Sequence, residues 1–246
     1  MLVPHLGEYD QEALVSRSLT YEPGCCSWIE QNAASFDAII EIGANVGLYT
    51  ALFDYAGRAT GSRVKAIFAF EPSKVAYNRL LKNLDANKAK FVTALPCAIA
   101  DANRFTSFYE PQDHLTNGSL LRDFAEIFSD KMRESLVLSI NASVLEGIFS
   151  RYERILLKID VEGSEPVVLQ SLSELICEHR PHILIEILDR TEAALREALS
   201  SNAYSLFLVT DDCLVRYDRV FASPQFRDWL LVPNGAACSE PAPKFR

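Results

Sequence analysis

Five strand-length apolar runs, most of them followed by a helical pattern, constrain this chain more than any other feature. Ala38–Ile42 ends at Gly43. Residues 64–70 end at Glu71-Pro72, and residues 91–99 form a weaker run broken by Pro96. Residues 155–160 lead to Gly163, and residues 182–188 form the fifth run. All are rich in Ile, Val and Leu and lack strict alternation, the pattern of strands buried on both faces. Helical patterns lie between them at 48–56, 74–87 (with Ser73 as N-cap), 167–179 (with Pro166 in the first turn) and 191–200. Strand–helix alternation predicts a doubly wound α/β fold with a mostly parallel sheet. Residues 204–210, Leu214–Tyr217 and 229–233 follow, with Asp211-Asp212 at a turn, so the last strands are expected to be antiparallel.

Residues 1–35 read as an irregular lead-in with one or two short helices, and 36–246 as a single domain. An insertion at about 105–148, carrying a helical pattern over 121–132, is expected to lie over the strand ends and shape a site. The 246 residues are 49% apolar, enough for one core. A net charge of −9 disfavours a polyphosphate partner. The six cysteines lack the clustering of a zinc site. Cys97 and Cys177 read as buried small hydrophobes, and the thiols as reduced in a cytoplasmic protein. No apolar run reaches the length of a membrane span. Without a secretory signal, the two Asn-x-Ser sequons, at Asn117 and Asn141, are expected to be chance matches.

The first run ends Glu41-Ile42-Gly43-Ala44-Asn45-Val46-Gly47, and a helix follows. Glycines at a strand-to-helix turn let the backbone approach a ligand, and the helix start offers free N–H groups. The same turn can also serve without a ligand. The spacing is Gly-x-x-x-Gly, not the Gly-x-Gly-x-x-Gly of dinucleotide binding, which weighs against an NAD-dependent oxidoreductase. Glu71 stands 28 positions after Gly43, at the end of the second run. A carboxylate there accepts both ribose hydroxyls in doubly wound cofactor folds; otherwise it is a solvated loop residue. Glu41, Lys158 and Glu186 interrupt apolar runs and Asp160 closes one. Lys158 and Asp160 share one side of their strand. They form either a structural ion pair, with Glu162 capping the next helix, or part of a site at the carboxyl edge.

Residues 157–165, Leu-Lys-Ile-Asp-Val-Glu-Gly-Ser-Glu, resemble the signature of the FkbM family of S-adenosylmethionine (SAM)-dependent O-methyltransferases. Ile42 to Gly47 resembles the family's first motif and Phe70-Glu71-Pro72 its second. Asn83-Leu84 with Asn87, Gly118-Ser119-Leu120 and Arg180-Pro181 also fit, so the resemblance covers about 37–233. Glu41 stands where Asp is common, and Ser164 where Ala is. The resemblance implies a Rossmann-like fold and methyl transfer from SAM to a hydroxyl of a sugar, glycolipid or polyketide-type product. It further implies that Glu41, Gly43, Ala44, Asn45 and Gly47 hold the methionine part of SAM, and that Glu71 and Pro72 serve the ribose. Ala98 to Asp101 would then lie by the adenine, and Asp160 and Glu162 at the transfer site beside Lys158. Asp160, Glu162, Glu186 and His114 are the candidate bases for the hydroxyl proton. A divalent cation on the carboxylates is the alternative way to acidify that hydroxyl, without a visible ligand spacing to favour it. His5, His179 and His182 read as structural or exposed. A non-catalytic SAM-binding protein is the main rival. A nucleic-acid methyltransferase lacks support, since the Asn/Asp-Pro-Pro-Tyr/Phe string is absent.

Overall fold

The computed structural model describes residues 21–112, 117–199 and 203–235. Helix α1 (Pro23–Asn32) and a 3-10 turn (Ala33–Ser35) precede β1 (Ala38–Ile42), α2 (Leu48–Gly57), β2 (Ala66–Phe70), α3 (Lys74–Ala86) and β3 (Val92–Leu95). Then come β4 (Cys97–Ala100), β5 (Arg104–Pro111), α4 (Arg122–Ala125), β6 (Met132–Asn141) and α5 (Glu146–Phe149). The chain continues through β7 (Ile155–Ile159), α6 (Glu165–Ser171), α7 (Ser173–His179), β8 (His182–Glu186) and α8 (Glu192–Ala198). It ends with β9 (Tyr204–Val209), β10 (Leu214–Tyr217) and β11 (Asp228–Pro233).

Eight strands form one sheet in the order β10-β9-β11-β8-β7-β1-β2-β3. The pairs β1–β2, β2–β3, β1–β7 and β7–β8 are parallel. Strand β11 runs antiparallel between β8 and β9, and β10 antiparallel to β9. The fold is therefore α/β with a mostly parallel sheet and antiparallel C-terminal strands. The chain moves outward from β1 to β3 on one side, then returns to the other side of β1 as β7. The crevice at the carboxyl ends of β1 and β7 is thus a topological switch point, where such sheets bind ligands.

Alternate residues of the central strands feed two cores. Ile40, Ile42, Leu157, Ile159, Ile183 and Ile185 pack on one face. Ile39, Leu156, Leu184 and Leu230 pack on the other, against Cys25, Trp28 and Ile29 of α1 and Phe53 of α2. Helix α1 is thus part of the sheet's covering layer. Among the described residues no helix is long and apolar enough to cross a membrane.

Four local expectations are corrected. The third run is two strands, because Pro96 has no N–H for the ladder and the chain changes sheets there. The helix expected over 121–132 is one short turn, Arg122–Ala125. Strand β6 starts at Met132 and pairs along its length with β5, which with β4 makes a second, three-stranded sheet. The helix expected over 167–179 is divided at Leu172. Beside the break, the Ser171 hydroxyl donates to the Ala100 carbonyl (2.8 Å) and accepts from the Ala142 N–H (3.1 Å), tying the helix to the second sheet. Cys97 is buried, but Cys177 on α7 is exposed. Cys238 and His5 lie outside the described residues.

Candidate active site

The turn after β1 is held by the chain itself. Gly43 and Gly47 have φ of +89° and +86°. A Cβ on Gly43 would sit 1.7 Å from the Asp160 carbonyl oxygen, and one on Gly47 2.4 Å from Leu80 Cδ1. Gly43 is therefore required by backbone packing and Gly47 by its left-handed φ, with or without a ligand. The Gly43 and Ala44 N–H groups donate to the Phe70 carbonyl at 3.0 Å, and Asn83 Nδ2 donates to the Val46 carbonyl at 2.7 Å. Glu71 joins the two motifs. Its Oε2 accepts from the Asn45 N–H (2.8 Å) and its Oε1 from the Ser73 N–H (2.6 Å). Burial pushes the Glu71 carboxyl up to about 7, against the pull of those two amides.

At the carboxyl ends of β7 and β8, on the face covered by α1 and α2, charges crowd together. Lys158 is 2% exposed, and its Nζ donates to Asp160 Oδ2 at 2.9 Å and lies 4.4 Å from the centre of the Tyr49 ring. Burial alone would lower this ammonium's pKa, but Asp160, Asp228 and Glu41 hold it above its ordinary value. Glu41 stands opposite Lys158 in the β1–β7 register and accepts from the Thr50 hydroxyl at 2.5 Å. Burial pushes Glu41 up to about 7. Glu186 stands opposite Asp228 across β8 and β11. Burial first, then neighbouring carboxylates, raises both well above the usual carboxylate range. Glu22, just before α1, accepts from the Tyr49 hydroxyl.

The second sheet closes over this edge. Ser119 Oγ donates to the Glu162 carbonyl (2.7 Å), and Asn117 Nδ2 to Glu162 Oε1 (3.3 Å). Glu110, buried on β5, accepts from the Ser73 hydroxyl and from Arg133 Nε at 3.0 Å. A Cβ on Gly163 would lie 2.7 Å from the Phe124 ring, so the short helix of the insertion packs directly on this turn. Glu165 Oε1 accepts from the N–H groups of Val161 (3.0 Å) and Gly163 (3.2 Å). The carboxylate that fastens this turn is therefore Glu165; Glu162 faces the insertion instead.

One cavity connects these parts. Gly43, Ala44, Asn45, Glu71, Pro72, Ala98, Asp160, Glu162 and Glu186 all line it. Glu41, Gly47, Lys158 and Asp101 do not. Glu41 and Lys158 lie beneath the floor, Gly47 turns its α-carbon to Leu80, and Asp101 is solvent-facing and paired with Arg104 at 3.0 Å. His114 lies outside the described residues. His179 packs on Phe149 and His182 on Phe36, both away from this cavity. Among the described residues one trio, Glu22, Cys25 and Asp228, brings three donor atoms within 4.8 Å. Burial pushes the Cys25 thiol well above its ordinary value.

The sequence model of the methyltransferase FkbM domain matches residues 41–206. The chain belongs to the FkbM methyltransferase family. Methyltransferase 1 of Beauveria bassiana (strain ARSEF 2860) is 23% identical over 211 residues, 79% of each chain. Methyltransferase sdnD of Sordaria araneosa is 27% identical over 180 residues, 63% of this chain and 68% of its own. The crystal structure of methyltransferase FkbM from Methylobacillus flagellatus KT superposes with a TM-score of 0.50 at 18% identity over 94% of this chain. This chain spans 56% of that one's length, and the likeness concerns the fold.

Within this FkbM methyltransferase, several lining residues escape the sequence patterns. Tyr21 borders the cavity from before α1, and Arg227 from before β11. Phe108 and Asn117 come from the insertion, and Ser164 from the signature turn. Asn117 and Ser164 carried a usable signal, the first in a polar string of a segment expected over the site and the second inside the 157–165 signature. Tyr21 and Arg227 reach the cavity through long-range packing that no local spacing encodes.

Proposed function

We propose that this methyltransferase moves the methyl group of SAM onto a hydroxyl of a sugar, glycolipid or polyketide-type product. The observation that carries the reading is the single cavity at the switch point. It runs from the Gly43–Asn45 turn and Glu71 to the carboxylates Asp160, Glu162 and Glu186. SAM supplies both the methyl group and the leaving group, so the protein's task is alignment. Glu71 accepts one amide on each oxygen and keeps a lone pair on each for a ribose hydroxyl. Phe70, Pro72, Ala98 and Phe108 give an apolar wall suited to adenine. The Lys158–Asp160 pair sets a fixed anion at the edge where a sulfonium would sit. Tyr21, Glu186 and Arg227 lie at the acceptor's end. The methyltransferase domain acts together with α1 as one catalytic unit, with β5 and Arg122–Ala125 covering the site. The net charge of −9 suits a small-molecule or glycan acceptor better than nucleic acid, and the setting we propose is cytoplasmic.

Calorimetry with SAM, S-adenosylhomocysteine, NAD and ATP in parallel tests the reading. Binding of SAM and S-adenosylhomocysteine alone is expected. Binding of NAD, or of none of the four, overturns it.

A further inference from the structure

Glu186 closes β8 and is 8% exposed. Its Oε1 lies 3.7 Å from Arg227 Nη1, and its Oε2 has no hydrogen-bond partner within the protein. Native proteins rarely leave such an atom buried and unpaired unless a ligand or water completes it. The other carboxylates lining the cavity are engaged. Glu71 accepts a backbone N–H on each oxygen, Asp160 accepts from the Lys158 ammonium, and Glu162 accepts from the Asn117 amide. The Ser164 hydroxyl, 4% exposed and also lining the cavity, is likewise unpaired. An acceptor hydroxyl would find one free acceptor oxygen and one free hydroxyl there.

We propose that Glu186 Oε2 takes the proton of the acceptor hydroxyl during methyl transfer. This rests on the methyl-transfer reading of the cavity. The acceptor oxygen bonds to the methyl carbon as the carbon–sulfur bond breaks, and that electron pair stays on sulfur, giving the neutral thioether. The hydroxyl proton passes to Glu186 and from there to solvent. The charged groups facing Glu186 are Asp160 and Glu162 from the turn after β7, Glu165 at the start of α6, Arg227 just before β11 and Asp228 at its first position. Burial and then the negative neighbours raise its proton affinity well above that of an ordinary carboxylate. A carboxylate with raised proton affinity is a stronger proton acceptor once ionised. Asp160 is already held by the Lys158 ammonium at 2.9 Å, so its Oδ2 is committed to that pair.

The test uses the full chain saturated with S-adenosylhomocysteine and labelled with carboxyl-13C glutamate. The resonance absent in Glu186→Gln is expected to titrate well above the ordinary carboxylate range; titration within that range overturns the proposal. A panel of 4-nitrophenyl glycosides with methyl-labelled SAM gives the second arm. On any acceptor turned over, the rate is expected to rise with pH through the Glu186 titration. Glu186→Gln is expected to lose that limb and roughly 10²–10⁴-fold in rate, with SAM affinity kept and partial recovery in Glu186→Asp. An unchanged profile in Glu186→Gln overturns the proposal. Should no glycoside react, a panel of polyketide-type alcohols and phenols replaces it, and the same outcomes for Glu186→Gln decide the proposal. Loss of SAM binding by the wild-type chain instead contradicts the methyltransferase reading.

Discussion

At the end of β2, Glu71 has a backbone amide on each carboxylate oxygen; at the end of β8, Glu186 has a buried oxygen with no protein partner. Both carboxylates close parallel strands of one sheet and line one cavity. The difference lies in what surrounds them. Glu71 is met by two turns whose N–H groups point inward, so its position is fixed before any ligand arrives. Glu186 is met by other carboxylates across β7 and β11, which oppose its charge. A binding end can be completed by the chain, whereas a reacting end must keep an unsatisfied group for the substrate. Lys158, buried and acted on by Asp160, Asp228 and Glu41, is the counter-ion on that edge.

Removing that counter-ion is the largest perturbation. Lys158→Met leaves Asp160, Asp228 and Glu41 without their buried partner. It is expected to cost about 3–5 kcal/mol of stability, the range for breaking a buried ion pair from one side. Denaturant unfolding reads this directly, and a loss under about 1 kcal/mol would show that the carboxyls neutralise themselves by taking up protons.

A smaller effect follows from pH. Glu41, Glu71 and Glu165 each rise from 4.5 to about 7 through burial. Across that interval the folded chain holds more protons than the unfolded one, so its stability is greatest near the lower end and falls as pH rises through 7. Calorimetric melting of the ligand-free chain is expected to show Tm declining from pH 5 to 7.5. A rising Tm would mean that Lys158 and the amides outweigh burial.

Breaking the binding end alone comes next. Glu71→Gln puts an amide NH2 where one carboxylate oxygen accepted a backbone N–H. SAM affinity is expected to fall by about 1.5–3 kcal/mol, the value of hydrogen bonds to a charged group. Asn117→Ala is the mildest change. It removes the amide on Glu162 and is expected to cost about 1 kcal/mol in Tm-derived stability, with SAM affinity unchanged. A large loss of SAM affinity in that variant would place Asn117 and Glu162 at the cofactor rather than at the acceptor.

The parts of this site written in local sequence were legible. Gly43, Glu71 and the Lys158–Asp160 pair sit at strand ends, and apolar runs mark strand ends clearly. The inserted sheet was not legible, because β5 and β6 leave Phe105 and Leu136 exposed and lack the apolar runs of buried strands. A short helical turn at Arg122–Ala125 then resembled the start of a long helix. The covering role of α1 was missed for a related reason. Pro23 and Gly24 look like loop residues, yet Gly24 lies where a Cβ would fall 2.2 Å from the Thr210 carbonyl oxygen, a contact across most of the chain. Asp101 was placed with the cofactor by its order in the chain, but Arg104 three residues later turns it to solvent.

The division between a binding end and a reacting end is tested most directly by titrating SAM into Glu71→Gln and Glu186→Gln side by side with the wild-type chain. The expected result is a roughly tenfold or greater loss of SAM affinity in Glu71→Gln and near wild-type affinity in Glu186→Gln. Equal weakening in both variants, or weakening in Glu186→Gln alone, would contradict it.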